Sequence, residues 1–175
     1  MNPSRSFQEL SDEQYKLLVD APALITILVA GADGKIDEQE LNWAEKLTHI
    51  RSYAEPEDLN QYYEEVEKGF SATFDAYLVS LPNELSLREK AISSELSKIN
   101  HVLACMDNPI AYRLYASFTS FAKHIAKASG GFLRFGSISR EEKKWIGLDM
   151  IDPVILEEVE EELFEEEDSE SDDQQ

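Results

Sequence analysis

The chain has 175 residues, 42% of them hydrophobic and 10% aromatic, with a formal net charge of -20. That is enough apolar material for one domain with a real core. Sixteen Lys and Arg against 36 Asp and Glu form no basic stripe, which excludes direct nucleic-acid binding and an electrostatic grip on anionic lipid.

Cations and basic patches on other proteins are the partners such a balance favours. More than half of the imbalance sits at one end, where residues 157–175 hold twelve carboxylates and no Lys or Arg. A single cysteine, Cys105, excludes an intrachain disulfide and fits a cytoplasmic location. The first residues contain no apolar leader. The most apolar run, Ala21 to Ala32, falls short of the ~20 residues a spanning helix needs. It reads as a buried core helix, with no membrane insertion expected.

The helical signals follow in chain order. Ser11-Asp-Glu-Gln14 is a capping box opening a short helix to about Val19. Asp20 and Pro22 interrupt it, and a second helix follows to Ala32, stopped by Asp33-Gly34. Asp37-Glu-Gln-Glu40 caps the next, with Trp43, Leu47, Ile50 and Ala54 on one face. Pro56 opens a long helix whose face is Leu59, Tyr63, Val66, Phe70, Phe74, Tyr77 and Leu81, a spacing of three and four. Ser86-Leu-Arg-Glu89 caps a helix through Leu96 and Met106. Asn108-Pro109 restarts the chain into Ile110, Leu114, Phe118, Phe121 and Ile125, ended by Gly130-Gly131.

The loop after it holds Phe132, Leu133 and Phe135, either core plugs or an exposed partner patch. Ser139-Arg-Glu-Glu142 is one more capping box. Asp152-Pro153 caps a last amphipathic helix through Ile155, Val159 and Leu163, and the acidic remainder reads as disordered. No period-two alternation persists. The expected fold is therefore all-α, a compact bundle of about seven helices. Residues 1–151 form the helical domain; 152–175 form the terminal helix and tail.

Two segments match. Gly34-Lys-Ile36-Asp37-Glu-Gln-Glu40-Leu-Asn-Trp43 and Gly136-Ser-Ile138-Ser139-Arg-Glu-Glu142-Lys-Lys-Trp145 share glycine, isoleucine, cap, glutamate and tryptophan at one spacing. Glycine turns the chain, the cap and glutamate satisfy first-turn amides, and tryptophan faces inward. The pair reads either as two helix starts built alike or as a duplicated helix–turn–helix unit. The first copy also matches half of an EF-hand loop, but Val29 and Gly31 stand where its first two carboxylates belong, which excludes a working EF-hand. Asp33, Asp37 and Glu40 around one turn remain able to hold a hard cation weakly. Asp37 and Glu40 equally serve as a cap without any ligand.

Val29-Ala-Gly-Ala-Asp-Gly-Lys-Ile-Asp-Glu-Gln-Glu-Leu41 after an apolar helix resembles the TerB-like tellurite-resistance family. So does Ala128-Ser-Gly-Gly-Phe-Leu-Arg-Phe-Gly-Ser-Ile-Ser-Arg-Glu-Glu-Lys143. The likeness is concentrated in residues 21–54 and 121–151. It implies a compact helical domain with internal pseudosymmetry and an acidic surface for a divalent, calcium-like metal. It also implies a role in stress- or metal-related protein complexes. By position, Asp33, Asp37 and Glu40 match the family's acidic turn. Only Glu142 is acidic in the second motif; Ser139 and Gly131 stand where a stronger site has carboxylates. A co-chaperone role on this fold is not expected to carry over, since the sequence has no His-Pro-Asp and no membrane anchor is expected.

His101 and Cys105, four apart, lack the second pair a zinc site needs. No nucleophile elbow, phosphate loop or zinc-protease motif is present. The sequence reads as a non-enzymatic binding domain with a protein partner, a basic one by charge, and a divalent cation at Asp33, Asp37, Glu40 and Glu142. The alternative is a metal-independent scaffold working through the acidic tail.

Overall fold

The computed structural model describes residues 6–36, 38–129 and 140–156. A short 3-10 turn, Phe7–Glu9, leads into helix α1, Asp12–Ala30. The Ser11 capping box forms: Ser11 Oγ accepts from Gln14 N at 3.2 Å, and Ser11 N–H donates to Gln14 Oε1 at 3.0 Å. The break expected at Asp20 and Pro22 is not there, and α1 runs through both. Pro22 has no N–H for the Leu18 carbonyl one turn back. The Tyr62 hydroxyl donates to that carbonyl instead, at 2.6 Å, and Thr26 Oγ donates to Pro22 O at 2.8 Å. A side chain from another helix thus repairs what proline removes.

Every residue of α1 from Asp20 to Ala30 is buried. A helix apolar on all sides belongs in the centre of a fold, and α1 packs against the helices that follow it. Each large aliphatic side chain hidden there contributes about 1.5–3 kcal/mol over an exposed one. The segment Asp12–Asp33 is long and apolar enough to cross a membrane, longer than the run read from sequence, and most of it lies buried inside the fold.

A 3-10 turn, Gly31–Asp33, ends at Gly34, whose φ of 91° is left-handed. Helix α2 spans Glu38–Ala54 and α3 spans Glu57–Ser80. The long face of α3 buries Leu59, Tyr62, Tyr63, Val66, Phe70 and Phe74. Helix α4, Leu85–Ser97, begins earlier than its expected Ser86 cap. Glu84 caps it by accepting from Ser86 N at 3.1 Å; the Ser86 hydroxyl, at 2.5 Å, and then that amide hold the Glu84 carboxyl below its usual range. Glu89 is then free of capping duty and binds elsewhere. The single helix expected through Met106 is two: α5, Ile99–Leu103, follows a turn at Lys98 whose N–H reaches back three residues instead of four.

Helix α6, Asn108–Ser129, crosses α1, α2 and α3. Helix α7, Arg140–Lys143, is one turn packed on the Gly31–Asp33 turn. After it, Trp145, Leu148 and Ile151 each donate to the carbonyl three residues back, and Leu148 adopts φ 51°. The chain from Asp152 to Leu156 is not helical, contrary to the cap read at Asp152-Pro153. Side-chain amides hold its backbone: Asn100 donates to Met150 O and accepts from Asp152 N, and Asn108 donates to Ile155 O. The remaining expected helix and tail, 157–175, the Phe132–Phe135 loop and the caps Asp37 and Ser139 lie outside the described residues. No strand occurs among the described residues, and the fold is the all-α bundle expected.

Candidate functional site

The acidic turn assembles in part. Asp33 is exposed, and its Oδ1 accepts from Lys35 N at 2.9 Å, a local turn bond of a kind Asp commonly makes. Glu40 and Glu142 are 8% and 6% exposed, and each is engaged within the fold. Helix α7, which opens from the second motif copy, packs on the Gly31–Asp33 turn that immediately precedes the first. Among the described residues, no three His, Cys, Asp or Glu side chains gather closely enough to hold a metal. The described carboxylates do not by themselves form the six-to-eight-oxygen shell of a calcium-like ion.

A second centre escaped sequence reading. The inward seam of α2 is Ala44, Leu47, Thr48 and Arg51, spaced as a helix face requires, with an arginine at a core position. Arg51 is 5% exposed. Its Nη1 donates to Tyr63 Oη at 3.3 Å, to Ser117 O at 3.1 Å and to Ser117 Oγ. Its Nη2 donates to Ser120 Oγ at 3.1 Å, and Glu55 Oε1 pairs with Nη1 at 3.1 Å. The guanidinium lies over the Tyr63 and Phe121 rings, 5.4 and 5.5 Å from their centroids. Burial pushes the Tyr63 phenol up, with the Arg51 charge opposing. One cation thereby pins α2, α3 and α6 together. An open cleft of about 240 Å³ beside it is lined by Arg51, Glu55, Tyr112, Arg113, Ser117 and Ser120.

A third cluster joins α1 to α3. Asp20, 5% exposed, accepts from Lys16 Nζ and from Tyr77 Oη at 3.0 Å. Burial, and then the bond to Asp20, push the Tyr77 phenol well up. A carboxylate and a phenol so engaged hold each other in place. The sequence signal was Asp20 bordering an apolar run, which reads as a helix break until Tyr77 and Lys16 are seen around it.

His101 is exposed, and Cys105 lies beyond the end of α5, so their spacing of four does not put them on one helix face. Trp145 Nε1 donates to Glu89 Oε1 at 3.1 Å, and Lys144 pairs with Glu89 at 3.0 Å. Trp43 Nε1, at the matching position of the first motif, is buried with no acceptor among the described residues. The outer side of α3 exposes Glu57, Glu64, Glu65, Glu67 and Asp75, with Lys68 the one base between them. No family model, no curated protein and no solved structure matches the chain.

Proposed function

We propose that this protein is a non-enzymatic helical binding domain of TerB-like type that recruits a basic protein partner through its carboxylate-rich surfaces. The observation behind the reading is charge segregation. The two largest polar clusters inside the fold are closed on themselves, at Arg51–Tyr63–Ser117 and around Asp20, which Lys16 and Tyr77 engage. Exposed carboxylates line the outer side of α3, and twelve more carboxylates are concentrated in the sequence of residues 157–175. Such fields steer and select cationic partners.

Titration of a fluorescent Lys/Arg-rich peptide into the full chain tests it. Binding at low salt should weaken about tenfold by physiological salt, survive chelator, and fall with Glu64→Lys/Asp75→Lys or Glu165→Lys/Glu166→Lys. Absence of binding at low salt, or indifference to both charge reversals, rejects the reading.

A second reading, a calcium-like cation held at Asp33, Asp37, Glu40 and Glu142, draws support from α7 packing on the Gly31–Asp33 turn. The ion would clamp two helices and activate no water. Calorimetry with calcium and with manganese, repeated on Asp33→Asn/Asp37→Asn, tests it. Heat that disappears in the variant supports the clamp; no heat at millimolar metal ends it.

A further inference from the structure

We propose that the outer face of α6 is a docking surface for the chain's own carboxylate-rich segment, residues 157–175. The first observation is composition. Helix α6 runs 22 residues without one Asp or Glu, in a chain that has 36. Lys123, His124 and Lys127 are exposed on its C-terminal half. Neither lysine enters an ion pair among the described residues.

The second observation is the cleft along the N-terminal half of α6. Arg51 and Arg113 line it, paired with Glu55 and Asp58 respectively. The Arg113 Nε is buried with no acceptor among the described residues. Arg51 is already engaged by Tyr63, Ser117, Ser120 and Glu55, whereas the Arg113 guanidinium, with five N–H donors, meets a single carboxylate among the described residues, Asp58, and keeps capacity for another.

The third observation is the tether. Asn108 is the first residue of α6, and its side-chain amide donates to Ile155 O at 2.9 Å. Asn100 holds Asp152 N just before it. The described chain therefore ends, at residue 156, near the N-terminal end of α6. Nineteen residues reach at most about 60–70 Å, and a 22-residue helix is about 33 Å long. The segment spans the whole face with length to spare.

Charge favours this face over the outer side of α3. Twelve carboxylates without a base are repelled by the Glu- and Asp-rich side of α3 and attracted to the acid-free side of α6. The short tether raises the local concentration of the segment to the millimolar range, so docking in cis outcompetes a second copy at micromolar protein. A basic partner that recruits residues 157–175 must then lift them off α6 first. The contact needs no such partner, so it stands or falls separately from the proposed recruitment.

Paramagnetic relaxation in the full chain, without any partner, reads the contact. A spin label is placed at Ser171→Cys in a Cys105→Ser background, and amide signals are followed. The expected broadening maps to residues 112–127. It falls at least about twofold in 0.5 M salt and in Lys123→Glu/Lys127→Glu. Broadening centred on another element, or on α6 but unchanged by salt and by the charge reversal, overturns the proposal. So does broadening that persists when the label sits only on an isotopically silent second copy, since that shows docking between chains.

Discussion

Gly34 to Trp43 and Gly136 to Trp145 share five letters at one spacing, and the chain then does two different things. Through the first turn the copies behave alike: Glu40 and Glu142 are buried, and Trp43 and Trp145 are half-buried. Beyond the tryptophan they part. The first continues as the 17-residue α2, whose Ala44, Leu47, Thr48 and Arg51 reach the core. The second stops after the four residues of α7. The positions matching Leu47 and Arg51 are Asp149 and Pro153, so the inward seam of α2 is interrupted in the second copy, and a longer helix is less rewarded. Gly147 further weakens it. The lesson is that a capping box starts a helix, while tertiary burial decides whether it continues.

The largest test of that contrast compares Arg51→Met with Pro153→Ala, its positional counterpart. The first strips Tyr63, Ser117, Ser120 and Glu55 of their shared donor and should lower unfolding free energy by about 2–4 kcal/mol in urea titration. The second, exposed and non-helical, should stay within about 0.5 kcal/mol. Equal losses would erase the distinction between the copies.

The tryptophans sharpen it. Trp145→Phe removes the bond to Glu89, whereas Trp43→Phe removes a donor that has no acceptor among the described residues. The first should cost about 1 kcal/mol more than the second by the same titration. Gly34→Ala comes next, at about 1 kcal/mol from the left-handed φ of 91°, since space around the position is open. Thermal melts on that variant separate backbone strain from crowding, which nothing near Gly34 supplies. The smallest effect is Asp33→Asn. Asparagine keeps the acceptor for Lys35 N, so the melting free energy should move by only a few tenths of a kcal/mol. A stabilisation by millimolar calcium that wild type shows and this variant lacks would bring the two copies together as one cation site.

Much of the helical layout was legible. The face of α3 and the Ser11 capping box follow from spacing and cap chemistry; α6 starts near Asn108-Pro109 as expected, but Asn108 is its first helical residue and the Asp107 carbonyl accepts the first amides. The errors have common causes. Pro22 looked like a break because its repair comes from Tyr62, 44 positions away in sequence. Glu89 looked like a capping partner because Lys144 and Trp145, which engage it, are far along the chain. Of the candidate site, Asp33, Glu40 and Glu142 were picked out by local pattern. Arg51 and Asp20 were not, since a charge is recognised as buried only once its partners on other helices are known.

Residue order alone determined that this chain is helical, where most helices begin, and how its charge divides between a folded body and a carboxylate-rich end. Those are properties of neighbours three and four residues apart, or of composition. Only the tertiary structure decided which helix lies at the centre, which capped turn grows long, and which polar groups are buried together. Each of those depends on free energy shared between segments far apart in the chain, as at Leu18 and Tyr62, and no local pattern records it.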